Sequence, residues 1–186
     1  MNNKTIVQAL HHLIHNAGDG VMTKLFLLKT IYLADRYHLR KYGRLITGAD
    51  YVAMRMGPVA SQVKSAIESD ISGDVEMNKL FAPLGKSRDT AFKSICPPQR
   101  EYLSDTELEA LDMALAQFKK IGSGDIVKYT HAFPEWKNCE ESLNDFCQVV
   151  PMDVEDFFLP ADANIEYCPA DPELVEMNLD FYRGEV

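Results

Sequence analysis

Three side chains with the means for acid–base chemistry are Asp35, His38 in the following helical turn, and His131 in the C-terminal half of the chain. A carboxylate that orients one imidazole, with a second imidazole nearby, could act as the general acid or base of a small hydrolase. The sequence contains no G-x-S-x-G elbow, no phosphate-binding glycine loop and no second carboxylate at a matched spacing. Because no activated nucleophile accompanies the three groups, we expect them to be structural and expect no enzymatic activity.

The apolar spacing around Asp35 predicts that this carboxylate is buried. At 100° per residue, Asp35 falls between Leu28 and Leu39 on an apolar face of a predicted helix. A buried carboxylate is costly unless it is hydrogen-bonded or paired. The nearest candidates along the sequence are His38 and Arg55. We interpret this region as a buried polar network that holds the helix against the strand that follows it.

A different side of the same helix carries a basic stripe at spacings of seven and four residues, formed by Lys29, Arg36 and Arg40. Side chains at such spacings share one helix face. We predict that they form an outward-facing cationic edge, which would suit an acidic partner.

The C-terminal 36 residues have the opposite charge, with one Arg against ten Asp and Glu. An acidic segment of this kind could meet a basic partner, or it could be a solvated stretch that aids solubility. Three of its carboxylates are candidate partner contacts: Asp153, Glu155 and Asp156.

Metal binding is disfavoured by the spacing of the histidines and cysteines. His11 and His15 lie one helical turn apart, but "HHLIH" lacks the glutamate of the zincin motif and an evident third ligand. We therefore expect a histidine cluster at a surface edge, with His12 pointing away from the core. The four cysteines contain no C-x-x-C pair, which favours reduced thiols over a zinc site. We predict no metal and no cofactor.

Length, composition and net charge argue against a membrane-spanning protein and a nucleic-acid-binding protein. A chain of 186 residues with 46% hydrophobic content can bury a core as a single domain. Its longest apolar stretch, "LFLLKTIYLA", is broken by polar residues and falls short of the roughly 20 residues of a membrane span. No secretory signal is evident, so we expect a cytoplasmic protein. The net charge of −9 argues against direct nucleic-acid binding, which requires a basic footprint.

Hydrophobic periodicity predicts a mainly α (α+β) fold. Helices are expected over 5–17, from Thr23 to Gly43, and over 105–120, where Ser104 and Glu107 form a capping box. Ser123 could cap another helix that ends near His131. The alternation in "ADYVAMRM" predicts a strand, ended by Gly57-Pro58, within a short β-hairpin or small sheet.

We divide the chain into a compact helical domain over 1–150 and an acidic, partly helical extension over 151–186. Within the extension, short helices are expected at "DVEDFF" and "PELVEMNLDFY", packed on the domain or trailing from it. Turn signals separate one or two short strands in 70–101, where the sequence supports no further detail.

Three sequence blocks resemble the Panacea domain, the SocA-like antitoxin family: "KTIYLADRYHLRKYGRLITGADYVAMRMGPV", then "LSDTELEAL" and "YTHAFPEW". Their order and approximate spacing match over about residues 5–140. The resemblance marks a set of motif positions in this chain: Tyr32, Asp35, His38, Gly43, Ile46, Thr47, Tyr51, Gly57, Pro58, His131, Pro134 and Trp136. We add Arg55 to this structural network. "GPVA" stands where the family often has a second proline.

The resemblance implies a mainly helical bacterial or prophage protein, usually encoded beside a toxin gene, that neutralises its partner by protein–protein contact. It carries over no catalytic residues. A second reading is a protease adaptor or regulator that presents a partner for degradation, and the third is the hydrolase built on Asp35, His38 and His131. The expected partners are a protein toxin from a neighbouring gene and, in the second reading, a protease; a further copy of the chain, in a homo-oligomer, is a third candidate.

Overall fold

The computed structural model describes residues 3–70, 77–85, 90–121, 125–162 and 170–185. Its helices are α1 (Asn3–His15), α2 (Lys24–Tyr42), α3 (Ser61–Asp70), α4 (Met77–Leu80), α5 (Asp105–Ile121), α6 (Ile126–His131), α7 (Pro134–Glu140) and α8 (Pro172–Arg183). Its strands are β1 (Val21–Thr23), β2 (Tyr51–Met54), β3 (Gly57–Ala60), β4 (Phe81–Pro83), β5 (Ala91–Ser94) and β6 (Val149–Pro151). The strands form two antiparallel sheets, in the orders β1-β5-β4 and β3-β2-β6. The predicted mainly α fold with small sheets is confirmed.

Helix α2 is the central element and has a cap at each end. The Thr23 hydroxyl accepts a hydrogen bond from the Phe26 amide at 3.3 Å. Gly43 ends the helix in the left-handed conformation, with φ of 73°, and its N–H donates to the Leu39 carbonyl at 2.8 Å. A residue with a Cβ is disfavoured at that φ. Both caps lie where the sequence predicts them.

Helix α5 lies against α2 and begins with the predicted capping box. The Ser104 N–H donates to Glu107 Oε2 at 2.7 Å, and the Glu107 N–H donates to Ser104 Oγ at 3.3 Å. These two bonds satisfy amide groups that have no partner within the helix. The next helix, α6, ends at His131 as predicted, whereas its predicted cap, Ser123, lies outside the described residues.

Strands β2 and β3 form a tight hairpin packed on α2. Met54 pairs with Gly57, so Arg55 and Met56 make a two-residue turn and are exposed. The strand prediction is correct over Tyr51–Met54. Gly57-Pro58, however, begins the second strand of the hairpin and does not end the element. Strand β6 completes the sheet on the other side of β2.

The chain after Val150 packs on α2. Phe157 is fully buried, and its ring lies 5.6 Å from Tyr32 and 4.9 Å from Tyr51 between ring centroids. The two predicted short helices are present as a 3₁₀ turn over Glu155–Phe158 and as α8. The division of the chain at residue 150 stays a prediction. Among the described residues, no helix combines the length and apolar character needed to cross a bilayer.

We predict that Phe157→Ala lowers the free energy of unfolding by about 3–5 kcal/mol, the usual cost of removing a fully buried phenylalanine ring. Urea denaturation measures this loss. Phe146→Ala is the matched control, because the Phe146 side chain is fully exposed and its truncation should change stability by less than about 0.5 kcal/mol. Equal stability of the two variants would contradict the packing of residues 151–162 on α2.

Candidate functional site

Asp35 lies at the centre of a buried hydrogen-bond network. Its carboxylate accepts from the amides of Ile46 at 2.6 Å and Thr47 at 3.1 Å, from the Thr47 hydroxyl, and from the Tyr51 hydroxyl at 2.8 Å. The side chain is fully buried, as its apolar neighbours in the sequence predict. Burial raises the pKa of Asp35, although these four bonds favour the ionised form. The network fastens the chain after α2 back onto the helix.

The two partners that the sequence suggests for Asp35 lie elsewhere, so this prediction is wrong. The Nδ1 atom of His38 lies 2.7 Å from the Arg44 carbonyl and its Nε2 atom 3.1 Å from the Thr106 hydroxyl. A carbonyl only accepts, so Nδ1 carries the proton and Nε2 accepts. Burial lowers the pKa of His38, which favours this neutral form. Arg55 lies in the exposed turn and pairs with Asp145.

A second buried network joins α2 to α7. The Glu135 Oε1 atom accepts from the Tyr32 hydroxyl at 2.5 Å and from Arg36 Nε at 2.8 Å, and the Glu135 side chain is fully buried. The Arg36 guanidinium also lies over the Phe133 ring, 4.6 Å from its centroid. Sequence reasoning missed Glu135. The sequence does carry a signal for it, because "FPEW" places a carboxylate between two aromatic residues. If these neighbours bury the carboxylate, it needs a basic partner inside the protein.

The arginines of α2 bind the C-terminal segment through its main chain. Arg36 Nη2 donates to the Leu159 carbonyl at 2.9 Å. Arg40 Nη1 donates to the carbonyls of Phe157 at 3.1 Å, Phe158 at 2.6 Å and Leu159 at 3.0 Å. Guanidinium groups that find several carbonyl acceptors can be buried without an acid at every donor. Residues 157–159 therefore close one face of α2.

The predicted outward cationic edge is wrong, because residues 157–159 cover Arg36 and Arg40 and strand β3 covers Lys29. Each of its members is at most 5% exposed: Lys29, Arg36 and Arg40. Because protein covers this face of α2, its basic spacing pattern marks internal contacts. These three residues therefore do not form an exposed cationic surface for a partner.

Lys29 fixes the start of β3. Its amine donates to the Pro58 carbonyl at 2.8 Å. A Cβ at Gly57 would lie 2.9 Å from the Lys29 amine and 2.7 Å from the Thr130 hydroxyl, and Gly57 has a φ of 95°. A side chain at Gly57 would force the Thr130 hydroxyl or the Lys29 amine to shift, and the positive φ disfavours any residue with a Cβ at this position. Burial lowers the pKa of Lys29 to about 7.

His131 and Trp136 stack face to face beside this hairpin, with ring centroids 3.6 Å apart and planes at 4°. Trp136 Nε1 donates to the Met54 carbonyl at 3.1 Å. Burial and the nearby charge of Lys29 lower the pKa of His131. In the described part of the chain, Asp35, His38 and His131 make no hydrogen bond with one another. The arrangement that a hydrolase would need is not assembled.

His11 and His12 of α1 are inside the protein and His15 is half-buried, so the predicted surface cluster is wrong. His11 Nε2 lies 2.9 Å from the Cys96 carbonyl, and His12 Nε2 lies 2.6 Å from Asp112 Oδ1. Both residues are at most 1% exposed, because the β1-β5-β4 sheet and α5 cover them. Across the described ranges, no group of three or more His, Cys, Asp or Glu side chains could hold a metal ion.

The three acidic candidates lie near the surface and make local contacts. Asp153 Oδ1 accepts from the Glu155 amide at 2.9 Å, and Asp156 Oδ2 accepts from Asn138 Nδ2 at 2.9 Å. Glu155 pairs with Arg183 of α8, and this contact lowers the pKa of Glu155. The role of these carboxylates in partner binding stays a prediction.

Comparison with protein-family models matches residues 27–137 to the family described as antitoxin SocA-like, Panacea domain. The matched range covers more than half of the chain and includes nearly all of α2, the β2–β3 hairpin and α5. Residues 157–159, which the α2 arginines bind, lie beyond it. The comparisons with curated proteins and with solved structures return no match.

We expect Asp35→Ala to lower the free energy of unfolding by about 3 kcal/mol or more, because each buried donor left without an acceptor costs about 1–3 kcal/mol. Asp125→Ala is the control, since Asp125 is exposed and its side chain caps no amide of α6. Urea denaturation of both variants checks the prediction. Wild-type stability in the Asp35 variant would show that the network does not form.

The pH dependence of stability in a Lys29→Met variant tests whether burial lowers the pKa of the Lys29 amine. The pKa of Lys29 is about 7 in the folded protein and near 10.5 when exposed, so between these values only the unfolded chain binds the proton. Wild-type stability from this group therefore rises with pH across that window. We therefore expect the free energy of unfolding of Lys29→Met, relative to that of wild type, to be highest at pH 6 and to fall progressively towards pH 10. At about 1.4 kcal/mol per pKa unit, the difference in stability between wild type and variant should change by a few kcal/mol over this pH range.

Urea denaturation of wild type and Lys29→Met at pH 6, 8 and 9.5 measures this difference. Lys128→Met is the control, because Lys128 is exposed on α6 and its replacement should shift stability equally at each pH. A difference between wild type and Lys29→Met that does not change with pH would contradict the lowered pKa.

Proposed function

Since the chain belongs to the antitoxin SocA-like, Panacea domain family, we propose that it is an antitoxin that neutralises a cognate protein toxin by direct binding. The single observation that carries this proposal is the family match over residues 27–137. We place its action in the bacterial or prophage setting that the family resemblance implies and in the cytoplasm, as expected from the sequence. The toxin would be the product of a neighbouring gene.

The geometry supports a binding role for this scaffold. Most of the polar motif side chains turn inward and bind other parts of the chain, as Asp35 binds the segment 46–51 and Trp136 binds the Met54 carbonyl. A motif used in this way keeps the scaffold rigid, and it places no restriction on the residues of the outer surface. Rigid elements hold a binding surface in place more accurately than loops do.

The same contacts argue against the hydrolase. A general base needs a proton to abstract within hydrogen-bond reach, and a nucleophile beside it. His38 has both ring nitrogens engaged by Arg44 and Thr106, and Asp35 is saturated by donors from 46–51. His131 Nε2 has no hydrogen-bond partner among the described residues, but its ring is stacked on Trp136. These groups support packing.

Co-expression with the product of the adjacent gene tests the proposal. Where that product alone arrests growth, we expect the wild-type chain to restore growth and to co-purify with the product, with the amount and mass of the product unchanged. A restored culture in which the product disappears would instead support the protease adaptor. Absence of both binding and rescue would overturn the antitoxin assignment for that pair.

His131→Phe separates binding from catalysis in the same assay. The phenyl ring preserves an aromatic stack on Trp136 but cannot transfer a proton. We expect full growth rescue by this variant, provided that circular dichroism shows a native fold. Loss of rescue with retained binding would support a catalytic role for His131.

A further inference from the structure

A cavity of about 270 Å³ opens between the start of α2 and the β2–β3 hairpin. Apolar side chains form most of its wall: Leu25, Leu28, Met54, Met56 and Val59. Cavities that hold a small-molecule ligand measure about 300–1,000 Å³. This cavity is smaller, and its size suits one large apolar side chain of another protein.

One exposed apolar side chain lines the cavity, and two more belong to segments next to its lining residues. Met56, in the hairpin turn, is 54% exposed, and Val149, which pairs with Met54 across the sheet, is 48% exposed. Phe146 is fully exposed and lies two residues before Gln148, which lines the cavity. Large apolar side chains grouped around a concave site are typical of a protein-binding surface.

The charged residues that line the cavity are all basic. Lys24 and Lys64 share a single carboxylate, Glu68, at 2.5 and 2.7 Å, and Arg55 pairs with Asp145. The basic side chains at this site therefore outnumber their acidic partners. In a chain with a net charge of −9, this is a local positive surface. It would attract acidic groups placed next to an apolar side chain.

We propose that this cavity is the anchor site for the toxin, and that it receives one aromatic or long aliphatic side chain flanked by Asp or Glu. This inference rests on the proposed antitoxin function and names the surface that carries it. The apolar side chain would fill the space between Leu28, Met54 and Val59. The flanking carboxylates would lie against Lys24 and Lys64, competing with Glu68 for their amines.

A second copy of the chain is the rival occupant. The flank of α8 presents Leu174, Met177 and Phe181, each at least 38% exposed, with Glu176 and Asp180 on the adjacent side of the helix. This helix has the chemistry that the cavity would accept. A toxin is favoured because seven of the ten residues that line the cavity lie within the range that matches the antitoxin family, whereas α8 lies wholly beyond it.

Met56→Glu is the principal test. It places a carboxylate at the mouth of the cavity, where it would repel an acidic segment. Met177→Glu is the matched control, because both methionines are 54% exposed. With the purified product of the adjacent gene, we expect Met56→Glu to weaken the Kd at least about tenfold and Met177→Glu to leave it unchanged. Circular dichroism and urea denaturation establish that both variants are folded.

Charge is tested separately with Lys64→Glu, controlled by Lys128→Glu, which makes the same change on exposed α6. We expect Lys64→Glu to slow association and to reduce its dependence on salt, because steering by opposite charges acts on the association rate. Equal association rates for the two variants would overturn the electrostatic part of the proposal.

A photoreactive benzoylphenylalanine at position 56 identifies the occupant. We expect it to cross-link a segment of the toxin in which a large apolar residue has Asp or Glu within a few positions. The same probe at position 177 should not cross-link. Undiminished toxin binding by Met56→Glu, or cross-linking from position 177 alone, would overturn the anchor site while leaving the antitoxin function intact.

Two further outcomes have distinct meanings. If wild type does not bind the product of the adjacent gene, the antitoxin function fails for that pair and the anchor site fails with it. If light scattering shows a dimer of the chain that both Met56→Glu and Met177→Glu dissociate, the cavity binds α8 of a second copy, and the toxin is the wrong occupant.

Discussion

Helix α2 is surrounded by protein on nearly every side, although it carries charged groups along most of its length. Burial removes these groups from water, and each must then find a partner inside the protein. Lys29 finds the Pro58 carbonyl, Asp35 finds donors from residues 46–51, and Arg40 finds carbonyls of residues 157–159. Three of the segments that pack on α2 are therefore also held by hydrogen bonds to its buried side chains: β3, residues 46–51 and residues 157–159.

This constraint explains the form of the family motif. The motif residues in 32–58 are a helix segment together with the groups that satisfy its buried polar side chains. Thr47 and Tyr51 serve Asp35, and Gly57 leaves the space in which the Lys29 amine reaches Pro58. Loss of one member leaves the other buried without a partner, which costs more than the pair contributes. A pattern of this kind specifies a scaffold and leaves its outer surface free to vary.

The buried polar side chains form hydrogen bonds within the chain and are out of reach of a partner, so only the outward-facing residues remain to contact one. Asp35, His38 and Glu135 are enclosed by the chain. The turn residues Arg55 and Met56 and the exposed Phe146 belong to the same hairpin region but face outward. The hairpin is held from within by Lys29 and Trp136. An outward surface on a support fixed in this way can bind without first paying the entropy of ordering itself.

Local signals in the sequence determined much of the secondary structure. Thr23, Gly43, Ser104 and Glu107 set helix ends through contacts within a few residues, and the alternation around Tyr51 marked a strand by itself. The apolar neighbours of Asp35 determined its burial, because a helix face is fixed by spacing alone. The three matching blocks also determined the family. None of these inferences needs a contact between distant parts of the chain.

Only the tertiary structure decided which groups pair. The partners of Asp35 lie 11 to 16 residues away, Glu135 lies 99 residues from Arg36, and the carbonyls bound by Arg40 lie 117 to 119 residues from it. A stripe of Lys29, Arg36 and Arg40 looks the same in sequence whether water or protein covers it. The outcome depended on the segment 151–162, which covers Arg36 and Arg40, and on β3, which covers Lys29. Both supply main-chain carbonyls, groups that every residue carries and no sequence pattern marks.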